Sequence, residues 1–133
     1  MALTLEVATP SRLVVAEPAD EVVVPGSQGY FGVLPGHAPL LATLGIGELT
    51  YRHGATQHHL ALTGGFAEVR NDKVIVLAEN AERPEEIDRE RALRAKDRAE
   101  RRLGGREGEI DFVRAQAALA RAFIRLQLTD RAR

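Results

Sequence analysis

Residues 84–105 read PEEIDRERALRAKDRAERRLGG, and the period of the chain changes there. Pro84 suits a first helical position, and Glu85, Glu86 and Asp88 suit the positive end of a helix. Arg101 and Arg102 suit the last turn, and Gly104-Gly105 the stop. A second helix is expected from about Glu109 to Leu128, after a glycine-rich connection of about five residues. Such a short connection makes the two helices antiparallel neighbours, each roughly 28–30 Å long at about 1.5 Å per residue.

Upstream of this point the apolar residues alternate instead. Leu3, Leu5 and Val7 share a face, then Leu13 and Val15, then Val22 and Val24. Leu49 with Tyr51, Leu60 with Leu62, Phe66 with Val69 and Val74 with Val76 continue the pattern. Turn chemistry separates these runs at Pro10-Ser11, Pro25-Gly26, Pro35-Gly36, Gly45, Gly47, His53-Gly54, Gly64-Gly65 and Asn71-Asp72. No helical segment lies between the strands, so parallel βαβ units do not fit, and many short strands predict an antiparallel sandwich. The expected class is α+β: a β-sandwich over 1–82 and a two-helix hairpin over 83–133.

The charge divides at the same place. Up to Glu82 there are four basic and nine acidic side chains; from Arg83 onward there are fourteen and ten. An acidic module thus precedes a basic one, although the chain as a whole carries a formal charge of −1. Two tyrosines, four phenylalanines and no tryptophan leave little for stacking bases, which argues against nucleic acid as the partner of the basic half. Cysteine is absent, which removes disulfides, thiolate metal sites and cysteine nucleophiles. No apolar run reaches the roughly 18 residues of a membrane span. The opening residues resemble neither an export signal nor a transit peptide, so a cytoplasmic location is expected.

The helix faces carry the chemistry. At 100° per residue from Ile87, residues Ala92, Ala95, Ala99 and Leu103 form a narrow stripe that permits close helix approach. Asp88 falls within that stripe, and Arg91, Arg98 and Arg102 run beside it. On the second helix, counted from Ile110, Arg114, Arg121 and Arg125 form a similar row, with Asp111 on the same side. Most of its other positions are apolar, including Phe112, Val113, Leu119, Phe123, Ile124 and Leu126. Like charges four residues apart repel, and an anion between two such rows reverses the sign. Guanidinium forks suit phosphate and carboxylate alike, so the wheel leaves both open. A purely structural role for Asp88 is to stabilise the helix start and pair with Arg91.

The four histidines do not make a metal site on this reading. Adjacent His58 and His59 point to opposite faces of a strand, and His37 sits in a Pro-Gly-His-Ala-Pro loop with a structural or interfacial role. GxGxxG and GxxxxGK[ST] are both missing, and no Ser-His-Asp arrangement is arguable.

The segment GYFGVLPGHAPLLATLGIGEL (Gly29 to Leu49), followed by TGGFAEV (Thr63 to Val69), closely resembles the ε subunit of bacterial-type F-type ATP synthase. The resemblance covers the whole chain and implies a sandwich of about ten strands, a linker and a helical hairpin. It implies a non-catalytic subunit at the foot of the central stalk, on the cytoplasmic face of the bacterial membrane and peripheral to it. The sandwich would hold the γ subunit and touch the c-ring. The hairpin would fold down, or extend along γ into the α/β head, meet acidic surface of the β subunit, and oppose ATP hydrolysis.

Some members of that family bind ATP on the folded hairpin through an [IL]DxxRA signature, which Ile87-Asp88-Arg89-Glu90-Arg91-Ala92 fits. The family's further contacts fall on Glu82, Arg98, Arg121 and Arg125. The resemblance thus implies Arg91, Arg98, Arg121 and Arg125 on the triphosphate. Asp88 would accept from the adenine amino group with Glu82 beside the base, and Ile87 and Ala92 would line the base or permit close approach. Without a Walker lysine, an acidic metal cradle or a base for water, binding without hydrolysis is expected, with ATP as a regulatory ligand and no required cofactor. The alternative keeps the subunit and drops the nucleotide, the arginines then serving subunit contacts alone.

Overall fold

The computed structural model describes residues 2–104 and 111–131. It divides into two compact units, Met1–Arg83 and Pro84–Arg133.

Among the described residues the first unit has eight strands: β1 (Leu3–Ala8), β2 (Leu13–Ala19), β3 (Glu21–Gly26), β4 (Gly29–Val33), β5 (Leu40–His53), β6 (Thr56–Arg70), β7 (Lys73–Ala78) and β8 (Ala81–Glu82). They pair in the order β2-β1-β7-β6-β5-β3-β4, with β8 added to β6. β5 and β6 are long enough to serve both layers of a sandwich. Leu40–Leu44 pair with Gly65–Val69, which in turn pair with β7; Ile46–His53 pair with Thr56–Thr63, flanked by β3 and β8.

Two expectations change here. The strand count is eight among the described residues rather than the about ten that the resemblance implies, and glycines read as turns lie inside continuous strands. Gly45 and Gly47 are within β5, and Gly64 and Gly65 are within β6. The sheet is also not wholly antiparallel: β1 runs parallel to β7, with Leu5 opposite Val74 and Val7 opposite Val76. These strands lie far apart in sequence, so the rest of the sandwich serves as the crossover that a parallel pair requires.

Alternation explains the core. Leu3, Leu5, Val7, Val22, Val24, Leu49, Tyr51, Leu60, Leu62, Val74 and Val76 are buried and form one cluster. The turn between β6 and β7 has two residues, Asn71 and Asp72, both at positive φ (52° and 59°), a conformation that Asn and Asp tolerate best after glycine. The Asp72 carboxylate also accepts the Gly36 N–H at 2.7 Å, tying the Pro-Gly-His loop to that turn.

Tyr51 joins the two layers. Its hydroxyl donates to Glu17 Oε2 at 3.0 Å, and Arg83 lies 3.7 Å from the same carboxylate while donating to the Val14 carbonyl at 3.2 Å. Burial raises the phenol above its ordinary value, opposed by the Arg83 hydrogen bond and aided by Glu17. A raised phenol contributes stability that is complete below pH 10 and lost as pH climbs through the folded-state value, because the unfolded chain ionises first. Tyr51→Phe should cost about 1–2 kcal/mol at neutral pH through the lost Glu17 contact, and should flatten the alkaline fall in stability. Urea melts of both proteins between pH 8 and 11.5 check this.

Candidate functional site

The hairpin begins with a 3-10 turn over Pro84–Glu86, and α1 spans Arg89–Gly104. The α-helix therefore starts later than Pro84. Asp88 is its cap: Oδ1 accepts the Arg91 N–H at 3.1 Å, and the Asp88 carbonyl accepts the Ala92 N–H at 3.0 Å. A side-chain acceptor outcompetes proline for setting the first turn. α2 spans Phe112–Arg131 and is capped the same way, Asp111 Oδ1 accepting the Arg114 N–H at 3.1 Å. The expected start at Glu109, and the connection before it, lie outside the described residues. At the other end the helix continues past the expected Leu128.

Alanines form the seam. Ala92 and Ala99 of α1, with Ala115 and Ala122 of α2, are buried. Two side-chain contacts set the register. Arg89 donates through Nε (3.1 Å) and Nη2 (3.0 Å) to Asp130 Oδ1, and the Lys96 ammonium lies 5.8 Å from the centroid of the Phe123 ring. Each step of seven residues up α1 is matched by seven down α2, as antiparallel packing requires. Continued by two residues, the same register sets Arg98 level with Arg121. Arg91 is level with Leu128, so Arg125 is offset from it by only three residues, about 4.5 Å along the axis.

Handedness then decides the face. On both helices Arg89, Lys96, Phe123 and Asp130 lie on one side of the alanine seam, and Arg91, Arg98, Arg121 and Arg125 lie on the other. Because the helices run antiparallel, the two arginine rows fall on the same side of the hairpin. Four guanidinium groups are thus distributed over about 10 Å of axis. Among the described residues, no carboxylate pairs with the side chains of Arg91, Arg98 or Arg121. Arg91 and Arg98 are exposed; Arg121 and Arg125 are half-buried.

The other nominated residues are placed as follows. Asp88 is exposed, and its bond is to the Arg91 backbone rather than to the guanidinium. Ile87 is half-buried, its N–H bound to the Pro84 carbonyl at 3.2 Å. Ala92 is buried in the seam, in keeping with close helix approach. Glu82 is half-buried and belongs to the first unit, on β8 opposite Ala61.

Three of the four histidines have local partners. His59 Nδ1 sits 2.5 Å from buried Glu48 Oε1, His58 stacks on Tyr51 with centroids 4.7 Å apart, and His37 Nδ1 lies 2.6 Å from the Ala38 carbonyl. Among the described residues no cluster of three metal-ligating side chains occurs. The contacts that sequence reasoning missed are Arg89–Asp130 and Lys96–Phe123. Their signal was present: Arg89 is a cation at the positive end of its helix, and Asp130 is an anion at the negative end of its own.

Comparison with known proteins bears on both units. Residues 2–84 match the family described as ATP synthase, Delta/Epsilon chain, beta-sandwich domain, and residues 85–130 match its long alpha-helix domain. The ATP synthase epsilon chain of Nitratidesulfovibrio vulgaris (strain DP4) is 52% identical over 98% of this chain and 97% of its own. Those of Syntrophobacter fumaroxidans and Solibacter usitatus are 49% and 52% identical, each over 97% of this chain and 96% of its own. A chain from the cryo-EM structure of the Euglena gracilis mitochondrial ATP synthase (OSCP/F1/c-ring) has the same fold, with a TM-score of 0.77 at 24% identity over 98% of this chain and 81% of that one. A chain from the Tetrahymena thermophila mitochondrial ATP synthase central stalk and c-ring matches at 0.56 and 14%, over 98% and 95%. A sandwich followed by a capped two-helix hairpin, matched end to end at about half identity, places this chain in the ATP synthase epsilon chain family, a non-catalytic subunit of that enzyme.

Proposed function

We propose that this chain works in the central stalk of a proton-translocating F-type ATP synthase, its sandwich against the γ subunit and the c-ring. On this reading it is peripheral to the membrane, on the cytoplasmic face of a bacterial cell. Among the described residues no helix is long and apolar enough to cross a membrane. The hairpin is the regulatory part. Opened, its basic rows meet acidic surface on the β subunits and oppose ATP hydrolysis; closed, it is held by bound ATP.

One observation carries the nucleotide: Arg98 and Arg121 are level, on the same side of the seam, with Arg91 and Arg125 flanking them. Four like charges so arranged repel, and a triphosphate converts that repulsion into charge-assisted bonds. The ligand favours closure because separating the helices separates the rows. At ten times Kd it would contribute about 1.4 kcal/mol, enough to switch two forms that lie within a few kcal/mol. Asp88 keeps its cap and has a second carboxylate oxygen for the base. The chain binds ATP without hydrolysing it.

The capping of Asp88 also suits the second reading, in which the arginines contact other subunits and no nucleotide binds. Reconstituted complex separates the two. Deleting the hairpin after Arg83 should raise ATP hydrolysis several-fold, and millimolar ATP should relieve inhibition by the intact chain but not by an Arg98→Ala, Arg121→Ala chain. Equal relief in both would favour the second reading, and unchanged hydrolysis after deletion would end the inhibitory role.

A further inference from the structure

We propose that Arg89, Asp130, Lys96 and Phe123 form a clasp on the face of the hairpin opposite the arginine rows, and that this clasp positions the rows for a polyphosphate. The inference rests on the reading that the hairpin binds a nucleoside triphosphate.

Two charges sit at the wrong helix ends. Arg89 is the first residue of α1, where the helix dipole is positive, and Asp130 is the penultimate residue of α2, where it is negative. Each is unfavourable to its own helix. Both become favourable only across the closed hairpin, where Arg89 Nε and Nη2 reach one Asp130 oxygen at 3.1 and 3.0 Å. Opening the hairpin strands both charges at the wrong helix ends. The pair therefore contributes to closure and not to either helix.

Lys96 and Phe123 repeat the contact one heptad further along. The ammonium stands 5.8 Å from the ring centroid, and Phe123 is 48% exposed. The two contacts share one face, and the arginine rows share the other. Attraction on one side and repulsion on the other fix the helix spacing before any ligand arrives, so less ordering accompanies binding.

Charge reversal tests this in the full chain. Asp130→Arg improves the dipole match of α2 and adds positive charge, so on general electrostatics it should bind ATP better. The clasp predicts the opposite: about five-fold weaker binding, the size expected when an exposed pair turns repulsive. Arg89→Asp likewise suits the start of α1 yet should weaken binding. The double swap, Arg89→Asp with Asp130→Arg, keeps the net charge and should restore affinity.

A ligand-free readout runs beside it. The chain has no cysteine, so spin labels at Asp97→Cys and Gln116→Cys report helix separation. Each single variant should lengthen that distance and the double swap should return it. Asp130→Arg binding ATP as well as or better than the starting protein, with the distance unchanged, would overturn the clasp. If the starting protein binds no ATP, the nucleotide reading fails and the distances alone decide: a lengthening undone by the swap sustains the clasp, and an unchanged distance ends it.

Discussion

Gly65→Ala should be the most damaging single-methyl change in the sandwich. The residue lies within β6 at φ 122°, and a Cβ built there would stand 2.1 Å from the Leu77 carbonyl oxygen and 2.7 Å from the Ala78 Cα. Both are backbone atoms of the neighbouring strand, where Gly65 pairs with Ala78, so no side chain can rotate aside. Strain at such a φ and overpacking against fixed atoms each cost about 1–3 kcal/mol, giving roughly 3 kcal/mol or more together. For a unit of this size that lowers Tm by about 15 °C. Calorimetry of the full chain measures it. Gly54→Ala, also at positive φ (63°) but with nothing within 4 Å of its Cβ, separates backbone strain from the collision and should cost much less.

Arg98→Ala combined with Arg121→Ala should have the largest effect on ligand binding. Each charge-assisted contact to a phosphate is worth about 1.5–3 kcal/mol, so each loss should weaken ATP binding roughly 10- to 100-fold. The effect on the ligand-free hairpin has the opposite sign, since removing level like charges relieves repulsion of a few tenths of a kcal/mol. Weaker ATP binding alongside an equal or higher melting temperature without ligand is therefore the signature of a site rather than of a damaged fold. Arg70→Ala on β6 removes the same charge from the other unit and should leave ATP affinity within about two-fold, the scale of a screened exposed charge.

The architecture was readable where periodicity was clean. Leu3, Leu5 and Val7, Val22 and Val24, and Val74 and Val76 alternate and are buried. The change to helical period at Pro84 coincides with the point where contacts divide the chain. Glycine misled the placement of turns, because Gly45, Gly47, Gly64 and Gly65 lie within β5 and β6, where a strand glycine marks a bend or a close backbone approach. At Gly47 a Cβ would stand 2.5 Å from the Tyr30 hydroxyl, a contact between residues that no local pattern brings together. The helix start slipped from Pro84 to Asp88 because capping and proline signals compete within five residues.

At the candidate site, the wheel showed which arginines share a row on each helix. It carried no information on the level of one row against the other. That level follows from Arg89–Asp130 and Lys96–Phe123, contacts between residues 41 and 27 positions apart in the chain. Ala92 was legible as a seam residue, since the wheel sets it in one stripe with Ala99, and both are buried. Glu82 was nominated by resemblance to the family and not by any feature of the hairpin, and the structure assigns it to the other unit.

On the proposed reading, paired guanidinium rows on one face of the hairpin bind a nucleoside triphosphate. Isothermal titration of the full chain with ATP at physiological salt tests it most directly, repeated with the Arg98→Ala, Arg121→Ala chain. A single saturable site is expected in the first protein and is absent from the second, while both remain folded. No heat up to millimolar ATP, or the same binding curve in both proteins, would contradict it.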